Sequence, residues 1–253
     1  MEELFNIKGK NVVITGASSG IGENLARMYA QYSANVALLA RSKEKLTDLA
    51  EELKSKYKVE AFPIPCDVTS EEQIIRAVEK AVSCFGQIHV LVNDAGVTEK
   101  SEDFTTHTKE QWDKVINTNL TGVYLVSKEV AKNMKEHNYG KIINIASTAG
   151  YMGMFNQISY TASKAGVIGM TKSMAVEMGK YNITVNGIAP GYILTKMTNP
   201  NSSGYRYYKS RTILGYVGEP DYLRGTALLL STDASRFITG TTIVVDGGSL
   251  SNS

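Results

Sequence analysis

The chain has 253 residues, of which 43% are hydrophobic and 21% charged, and its formal net charge is +2. This balance is typical of a globular protein with a buried core, and it argues against a dedicated nucleic-acid-binding protein, which needs a dense basic face. No run approaches the roughly 20 apolar residues that span a bilayer, and the first residues lack the apolar core of a secretory signal, so we expect a cytoplasmic protein with no membrane contact.

Strand-like and helix-like segments alternate along the chain. Apolar, β-branched runs predict strands, some with their following turns, at 11–16, 35–40, 59–65, 88–96, 141–147, 183–190 and 241–248. Helical spacing predicts helices at 21–32, 42–57, 71–85, 110–137, 160–181 and 220–231. The strands are mostly apolar throughout, which is typical of a parallel sheet covered by helices on both faces. The sequence therefore predicts an α/β fold with one doubly wound, Rossmann-type parallel sheet.

The chain shows no linker and no change of composition, so we expect a single domain over residues 1–253. One segment, residues 192–218, is polar, rich in turn residues and too long for a simple connection. Long irregular segments within a compact domain are usually functional. We therefore predict that residues 192–218 form the substrate loop.

Metal ligands and reactive thiols are not indicated by the sequence. Cys66 and Cys84 do not form a Cys-x-x-Cys pair. No His-Glu-x-x-His motif, calcium-binding loop or Cys/His cluster occurs, so we predict reduced thiols and no metal site.

A glycine-rich turn, TGASSGIG at 15–22, follows the first predicted strand and opens the first predicted helix. Gly16, Gly20 and Gly22 permit a tight turn and a close approach of the backbone to a ligand. The free N–H groups at the start of the helix then face an anion such as a pyrophosphate. The turn therefore predicts a site for a nucleotide cofactor.

The residues GASSG at 16–20 also fit Gly-x-Ser-x-Gly, the nucleophile turn of a hydrolase. That class needs an Asp and then a His after the serine. The histidines are His89, His107 and His137, and none lies in a Gly- or Pro-flanked loop late in the chain. The hydrolase interpretation also leaves everything beyond residue 137 without a catalytic role, so the sequence favours the nucleotide site.

The end of the second predicted strand bears on the choice of cofactor. A site specific for NAD usually has an Asp or Glu there, which holds the ribose 2′-hydroxyl group. This chain has Ala40 followed by Arg41, with Ser42 and Lys45 close behind. A guanidinium binds a 2′-phosphate, whereas a carboxylate repels it. We therefore predict NADP as the cofactor.

One Tyr-x-x-x-Lys pair stands out from its surroundings. The chain has four such pairs: Tyr124/Lys128, Tyr160/Lys164, Tyr192/Lys196 and Tyr205/Lys209. Only Tyr160 has a serine 13 residues upstream, Ser147, at the end of the strand-like run KIINIAS. This spacing singles out Ser147, Tyr160 and Lys164 as one candidate site.

These three side chains suit proton transfer to a carbonyl oxygen. A phenol has an ordinary pKa of about 10, which matches neutral pH poorly. A nearby cation favours the phenolate, so we expect Lys164, one helical turn away, to lower the pKa of Tyr160. Tyr160 then donates a proton during reduction and accepts it during oxidation, while Ser147 holds the carbonyl oxygen by a hydrogen bond.

Together the motifs resemble those of the short-chain dehydrogenase/reductase family over essentially the whole chain. TGASSGIG resembles the family's cofactor loop, NDAG at 93–96 its Asn-Asn-Ala-Gly turn, and PGYILTKM at 190–197 the stretch beside the nicotinamide. Asn119, in NTNLTG, matches the family's helix asparagine. A departure is Asp94, where the family commonly has a second asparagine. We expect Asp94 to alter hydrogen bonding below the adenine ring and to leave the catalytic positions untouched.

The resemblance implies an NADP(H)-dependent oxidoreductase that interconverts a carbonyl and a secondary alcohol by hydride transfer. It implies that Lys164 also holds the nicotinamide ribose and that Asn119 supports a water relay to it. The implied catalytic residues are Asn119, Ser147, Tyr160 and Lys164. The implied cofactor-binding residues are Gly16, Ser18, Ser19, Gly20, Ile21, Gly22, Arg41, Ser42, Asp67, Val68, Asn93, Ala95, Gly96, Tyr160, Lys164, Pro190, Gly191, Ile193 and Thr195.

The family commonly forms tetramers through its two long helices, here about 110–137 and 159–180, and its C-terminal strand. The resemblance therefore implies a homotetramer, and no partner beyond a small-molecule carbonyl or alcohol substrate.

The substrate is the least determined part of the interpretation. Met152, Met154 and Phe155 form either an apolar wall or internal packing, and the tyrosines and basic residues of 192–218 either grip a polar substrate or face solvent. The chain is similar to gluconate 5-dehydrogenases and other sugar and polyol dehydrogenases, and also to 3-oxoacyl thioester reductases, which usually have a shorter, more glycine-rich wall after the serine. We expect a sugar, sugar acid, polyol or other small ketone. A non-catalytic nucleotide sensor is the alternative from a different class, and the intact serine, tyrosine and lysine argue against it.

Overall fold

Seven parallel strands form one sheet in the computed structural model, which describes residues 4–99, 103–195, 198 and 203–252. The strands are β1 Asn11–Thr15, β2 Asn35–Ala40, β3 Ala61–Pro65, β4 Val90–Asn93, β5 Gly140–Ile145, β6 Ile183–Pro190 and β7 Thr242–Val245. Their order across the sheet is β3-β2-β1-β4-β5-β6-β7, and every neighbouring pair is parallel. The predicted doubly wound parallel sheet is confirmed.

Helices cover both faces of this sheet. They are α1 Gly20–Gln31, α2 Lys43–Tyr57, α3 Glu71–Phe85, α4 Lys109–Ile116, α5 Gly122–Glu136, α6 Ile158–Met178, α7 Ser203–Arg211 and α8 Arg224–Ser231. Along β1, Val12 and Ile14 join a core cluster shared with α1, α2 and α8, while Val13 joins a second cluster shared with α3, α5 and α6. Because successive strand residues face opposite sides, two buried faces require a strand that is apolar at every position.

The predicted helix over 110–137 is interrupted in the structure. A single wide π-helical turn, Asn117–Thr121, joins α4 to α5 and contains Asn119. Such turns insert one extra residue into a helix and frequently occur at functional sites. Periodicity alone could not show this turn, because its neighbours continue the helical pattern on either side.

The predicted substrate loop, residues 192–218, is partly helical. Helix α7 occupies its centre, so the expectation of an irregular segment throughout was wrong. Residues 196, 197 and 199–202 of this loop lie outside the described residues. The predicted helix over 220–231 is confirmed, although its first turn, Pro220–Leu223, is a 3-10 helix that leads into α8.

The order of the strands places a crevice at one edge of the sheet. The chain moves outward from β1 to β2 and β3, and then returns to β4 on the other side of β1. At such a switch point the following helices diverge, and the carboxyl ends of the strands open a ligand-binding crevice. Within the described residues, no helix has both the length and the apolar character needed to cross a membrane.

Candidate active site

A cavity of about 1450 Å³ lies in this crevice. Residues that follow six of the strands contribute to its lining, as expected for a ligand site at the carboxyl edge of a parallel sheet. The predicted site residues that line it are Gly16, Ser18, Ser19, Gly20, Ile21, Arg41, Ser42, Asp67, Val68, Ala95, Gly96, Ser147, Tyr160, Lys164, Pro190, Gly191, Ile193 and Thr195. The fold therefore brings together residues that lie up to 179 positions apart in the sequence.

The glycine turn after β1 packs closely on the turn after β4. Gly16 has a backbone φ of +71°, and a Cβ there would lie 2.8 Å from the backbone nitrogen of Ala95. The Oγ1 atom of Thr15 accepts hydrogen bonds of 3.1 Å from the N–H groups of Asp94 and Ala95. Position 16 requires both a positive φ and a close approach to Ala95, and only glycine allows both. A side chain there would strain the turn and push the two segments apart.

Three of the predicted site residues do not line the cavity. Gly22 lies behind the glycine turn, where a Cβ would come within 2.7 Å of the carbonyl oxygen of Gly16. Asn93 is buried, and its side chain donates to Asn144 Oδ1 at 2.9 Å and to Ser127 Oγ at 2.8 Å. These two residues pack behind the segments that line the cavity. The third residue, Asn119, lies inside the wide turn.

The side chain of Asn119 ties the turn after β4 to α6. Its Oδ1 atom accepts from the N–H of Val97 at 2.8 Å, and its Nδ2 atom donates to the Val97 carbonyl at 2.9 Å and to Ser163 Oγ at 3.2 Å. The amide is fully buried. The wide turn thus carries a buried side chain that fixes the backbone of one cavity wall.

Ser147, Tyr160 and Lys164 form the inner end of the cavity. Ser147 follows β5, and its Oγ atom accepts from the N–H of Ala149 at 3.1 Å. Its side chain also makes a hydrogen bond with the hydroxyl of Tyr160. The Nζ atom of Lys164 donates to the carbonyl of Ile145 at 2.8 Å and lies 5.7 Å from the centre of the Tyr160 ring. The 13-residue spacing from Ser147 to Tyr160 therefore brings the two hydroxyls together.

The pKa of Tyr160 stands above its ordinary value in this structure. Burial raises the pKa of the phenol, the hydrogen bond from Ser147 lowers it, and the nearby carboxyl of Asp94 raises it. Lys164 was expected to lower this pKa, but its Nζ atom is directed at the Ile145 carbonyl, and the contact that lowers the pKa comes from Ser147. The effect of burial on the pKa is larger than the effect of this hydrogen bond, because removing a phenolate from water destabilises it more than one hydrogen bond stabilises it.

Lys164 is buried and Asp94 is partly buried, and their opposite charges act on each other. Burial lowers the pKa of Lys164 to about 8 and raises the pKa of Asp94 to about 7, and in each case the charge of the other opposes the shift. Asp94 was expected to leave the catalytic positions untouched. The expectation was wrong, because the electrostatic influence of its carboxyl group reaches Lys164 and Tyr160.

Arg41, Ser42 and Lys45 form the outer end of the cavity. Arg41 follows β2 directly and is exposed. Within the described part of the chain, its guanidinium forms no ion pair. Asp67, which follows β3, turns its carboxylate to the N–H and hydroxyl of Thr69 at 2.9 and 2.8 Å. A cation thus stands at the rim of the cavity with its donors available to a ligand.

Aromatic and sulfur-containing side chains line the wall opposite the glycine turn. Tyr192 stacks on Tyr208, with ring centres 4.8 Å apart, and the hydroxyl of Tyr208 donates to the sulfur of Met154 at 3.4 Å. Tyr207 packs edge-on against Tyr208 at 5.2 Å. All four line the cavity, and we call them the tyrosine wall. Met152 and Phe155 also line it, although Phe155 is 91% exposed.

The model of one protein family, short chain dehydrogenase, matches residues 10–206. The chain belongs to the short-chain dehydrogenase family. As a short-chain dehydrogenase it is an oxidoreductase that acts on a carbonyl or an alcohol, and members of this family use NAD or NADP. No metal cluster enters this assignment, since no group of three or more His, Cys, Asp or Glu side chains that could hold a metal occurs within the described ranges.

Two curated relatives of this short-chain dehydrogenase differ in their substrates. It is 41% identical over 242 residues to the 3-oxoacyl-[acyl-carrier-protein] reductase of Staphylococcus epidermidis, covering 94% of this chain and 98% of that protein. It is 38% identical over 253 residues to the 5-keto-D-gluconate 5-reductase of Escherichia coli, covering 99% of each. A solved structure of a short-chain type dehydrogenase/reductase from Mycobacterium marinum has a TM-score of 0.93 at 35% identity and covers 98% of both chains.

Sequence reasoning missed or undervalued several residues of this short-chain dehydrogenase. Thr15 anchors the turn after β4, and its place directly before Gly16 was the available signal. Lys114 lines the cavity from α4, where no motif indicated it, and Thr118 lines it from NTNLTG, a motif in which only Asn119 was singled out. The electrostatic influence between Asp94 and Lys164 joins residues 70 positions apart, and sequence spacing carries no trace of it.

Proposed function

We propose that this short-chain dehydrogenase uses NADP(H) to interconvert a ketone and a secondary alcohol on a small polyhydroxylated substrate, such as a sugar, a sugar acid or a polyol. Tyr160 donates the proton during reduction and accepts it during oxidation. The observation that carries the proposal is the hydrogen bond between Ser147 and Tyr160, made in a cavity that also reaches the glycine turn. The nicotinamide of the cofactor supplies or accepts the hydride when it is bound.

Each residue of the inner end has a separate task in this proposal. Ser147 holds the carbonyl oxygen as negative charge develops on it, which is the point in a reaction where a placed donor contributes most. The hydroxyl of Tyr160 reaches the same oxygen and transfers the proton. Lys164, buried and already held by the Ile145 carbonyl, has further N–H donors for the ribose next to the nicotinamide.

Asn119 is proposed to support a water relay to Lys164. Gly96 supports this placement. A Cβ on Gly96 would lie 3.5 Å from Asn119 Oδ1 and 3.8 Å from Lys164 Nζ, so the missing side chain leaves a space that both polar groups border. A water molecule in a small polar space needs two or more such partners. The same glycine therefore separates the two side chains and leaves room for a proton path between them.

The preference for NADP rests on the outer end. Arg41 lines the cavity at the end of β2, where a site specific for NAD has a carboxylate. Its exposed guanidinium carries a permanent charge and a planar set of donors that fits a phosphate. Ser42 and Lys45 line the same rim and add a hydroxyl and a second cation.

The tyrosine wall supports a substrate with both polar and apolar faces. Tyrosine rings offer flat apolar surfaces and hydroxyl groups at their edges, so they suit ring-shaped or branched polyhydroxylated molecules. The hydroxyl of Tyr208 makes only a weak bond to the sulfur of Met154, which a substrate hydroxyl could replace at little cost. A phenolate at Tyr160 would raise the pKa of Tyr208, and this electrostatic influence supports a wall close to the reacting end.

A second candidate function is reduction of a 3-oxoacyl thioester. The observation that favours it is the 41% identity to the 3-oxoacyl-[acyl-carrier-protein] reductase of Staphylococcus epidermidis, slightly above the identity to the gluconate-related enzyme. Met152 and Met154 would then line an acyl chain. The tyrosine wall weighs against this candidate, because an acyl chain gains nothing from the hydroxyl groups.

We further propose that the protein is a homotetramer built through α5 and α6. Exposed apolar side chains support this, since Val176 on α6 is 84% exposed and Tyr124 on α5 is 51% exposed. Contact with a second copy would remove this apolar surface from water, which favours association. Light scattering coupled to size-exclusion chromatography would measure the mass, and a species of about one chain mass would contradict the tetramer.

The experiment that tests the function measures oxidation of NADPH and NADH by the purified protein with ketoses, keto-acids, diketones, 3-oxo thioesters and oxo-steroids. The Tyr160→Phe variant is the blank. We expect NADPH consumption with keto-sugars or keto-acids that is absent in the blank. A rate confined to 3-oxo thioesters would favour the second candidate. Tight cofactor binding without turnover on any class would favour a nucleotide sensor.

A further inference from the structure

Asp94 occupies a position between the glycine turn and the inner end of the cavity. It follows β4 directly, and its N–H donates to the hydroxyl of Thr15 at 3.1 Å, which fixes its backbone against the end of β1. The residue lines the cavity. Its carboxyl group is therefore a component of the cofactor site that the mechanism above does not use.

The side chain of Asp94 reaches the first turn of α1. The N–H of Gly22 donates to its carboxyl group, and a Cβ on Gly22 would lie 2.7 Å from its Oδ2 atom. Only a residue without a side chain leaves room for this contact. The start of a helix attracts negative charge through its free N–H groups and its dipole. The carboxyl group thus contacts, from behind the glycine turn, the same helix terminus whose front faces the pyrophosphate of a dinucleotide.

The titratable groups that face Asp94 come from one helix. Within the described residues, Lys164 and Tyr160 of α6 act on it electrostatically, while α1 and the end of β1 face it with the Gly22 N–H and the Thr15 hydroxyl. Burial raises the pKa of Asp94 to about 7 despite the charge of Lys164. The carboxyl group is thus about half ionised near neutral pH before any cofactor binds.

We propose that Asp94 couples dinucleotide binding to protonation: where its carboxyl group is ionised, it takes up a proton from solvent when the dinucleotide binds. The inference rests on the dinucleotide cofactor of the proposed function. A carboxylate and a diphosphate at one helix terminus repel each other, and in a buried site this repulsion is weakly screened. Adding a proton to a carboxylate oxygen removes the repulsion, and no other bond changes. The protonated group still accepts the Gly22 N–H.

Titration calorimetry tests the proposal directly. NADH is bound to the full chain at pH 7 in two buffers that differ in ionisation heat, which gives the number of protons exchanged. We expect an uptake of about 0.5 proton per site in the wild type, since about half of the carboxyl groups start ionised. The isosteric variant Asp94→Asn is expected to take up none. Asp67→Asn, which removes another carboxyl group of the cavity, is expected to retain the uptake.

The pH dependence of affinity gives an independent measurement. Cofactor binding that raises the proton affinity of Asp94 must weaken as pH rises, so the wild-type affinity for NADH is expected to fall about 5-fold to 10-fold between pH 6 and pH 8. The Asp94→Asn variant is expected to show a flat profile and tighter binding at pH 8. NADH is the better probe here, because the 2′-phosphate of NADPH titrates in the same range.

The outcomes separate this inference from the proposed function. Binding of NADH by the wild type without proton uptake would overturn the role of Asp94 and leave the oxidoreductase standing. An equal uptake in Asp94→Asn would assign the proton to another group and also overturn it. Failure of both cofactors to bind would overturn the proposed function and this inference together. Should Asp94→Asn not fold, infrared difference spectra of the wild type, labelled with ¹³C-aspartate, must show a new protonated carboxyl band when NADH is added.

Discussion

Two cations that line the cavity differ in their exposure to solvent and in their contacts with the rest of the protein. Lys164, at the inner end, is 5% exposed, donates to a backbone carbonyl and has its pKa lowered to about 8 by burial. Arg41, at the outer end, is exposed and forms no ion pair within the described part of the chain. The protein therefore tunes the charge of Lys164 through its own contacts, whereas the permanent charge of Arg41 is left for a ligand or solvent ions to neutralise.

This difference predicts two kinds of response to substitution. At the inner end each group depends on the others, so the loss of one is expected to stop turnover without changing which cofactor binds. At the outer end Arg41 is exposed to water, where its electrostatic interactions are weaker and are screened by salt.

The largest effect is expected from Tyr160→Phe. The variant keeps the ring and its packing but has no proton to transfer, so turnover is expected to fall by about 10²–10⁴-fold, which is the usual contribution of a general acid or base. Cofactor binding, measured by NADPH fluorescence, is expected to stay within about twofold of wild type. Turnover near the wild-type rate would show that Tyr160 does not transfer the proton. It would also contradict the expected difference between the two ends of the cavity.

Ser147→Ala is expected to have the next largest effect. Loss of one donor to a developing oxyanion usually costs about 10²–10³-fold in turnover. The hydrogen bond from Ser147 also lowers the pKa of Tyr160, so the variant is expected to need a higher pH for alcohol oxidation, which requires the phenolate. The pH–rate profile of the oxidation direction measures this shift. A profile that moves to lower pH would show that Ser147 does not stabilise the phenolate.

Arg41→Asp is expected to act on cofactor choice alone. A charge-assisted contact to a phosphate contributes about 1.5–3 kcal/mol, or about 10–100-fold in NADPH affinity, while NADH affinity changes little. The wild-type preference is expected to shrink as salt concentration rises. Lys43→Asp is the matched control, since Lys43 is exposed two positions away and does not line the cavity. Equal losses of NADPH and NADH affinity in Arg41→Asp would refute the assignment of NADP.

The smallest effect is expected in the stability of the cofactor-free protein. The folded-state pKa of Asp94 is raised to about 7, above its unfolded value of about 4, so the folded chain retains a proton that the unfolded chain loses. Wild-type stability therefore falls as pH rises from about 4 to about 7. Asp94→Asn is expected to melt at a higher temperature than wild type at pH 8, by about 2–4 °C for each kcal/mol of this difference in stability. At pH 4 the two proteins are expected to melt at the same temperature. A pH-independent difference in Tm would contradict the raised pKa.

The inner end was largely predictable from sequence because its signals are local. Ser147 ends a strand-like run, Tyr160 and Lys164 lie one turn apart on a helix, and the glycine turn opens α1. The shape of the sheet followed from strands that are apolar at every position. These features depend on neighbours within a few residues, which periodicity and turn chemistry describe well.

Features that depend on distant contacts were not predictable. The YRYYKSR part of α7 has no apolar stripe of the kind that marks a helix packed on a core, so it was assigned to an irregular segment. The pKa of Tyr160 depends on burial beneath other elements and on the carboxyl of Asp94, and the direction of its shift was therefore mispredicted. The contact between Asp94 and Gly22 joins residues 72 positions apart.

The wide turn Asn117–Thr121 makes the orientation of α4 depend on the number of residues in the turn. A relative could be highly identical in sequence and still differ there by one residue. An α-helix rotates about 100° per residue, so deleting one residue there would convert the turn to regular helix and rotate α4 about its axis relative to α5. Lys114, which lines the cavity from α4, would then point elsewhere although every side chain of the inner end was retained. Chimeras can be made by exchanging α4 between relatives that have different numbers of residues in this turn. They are expected to fold but to lose the part of the cavity lining that α4 supplies.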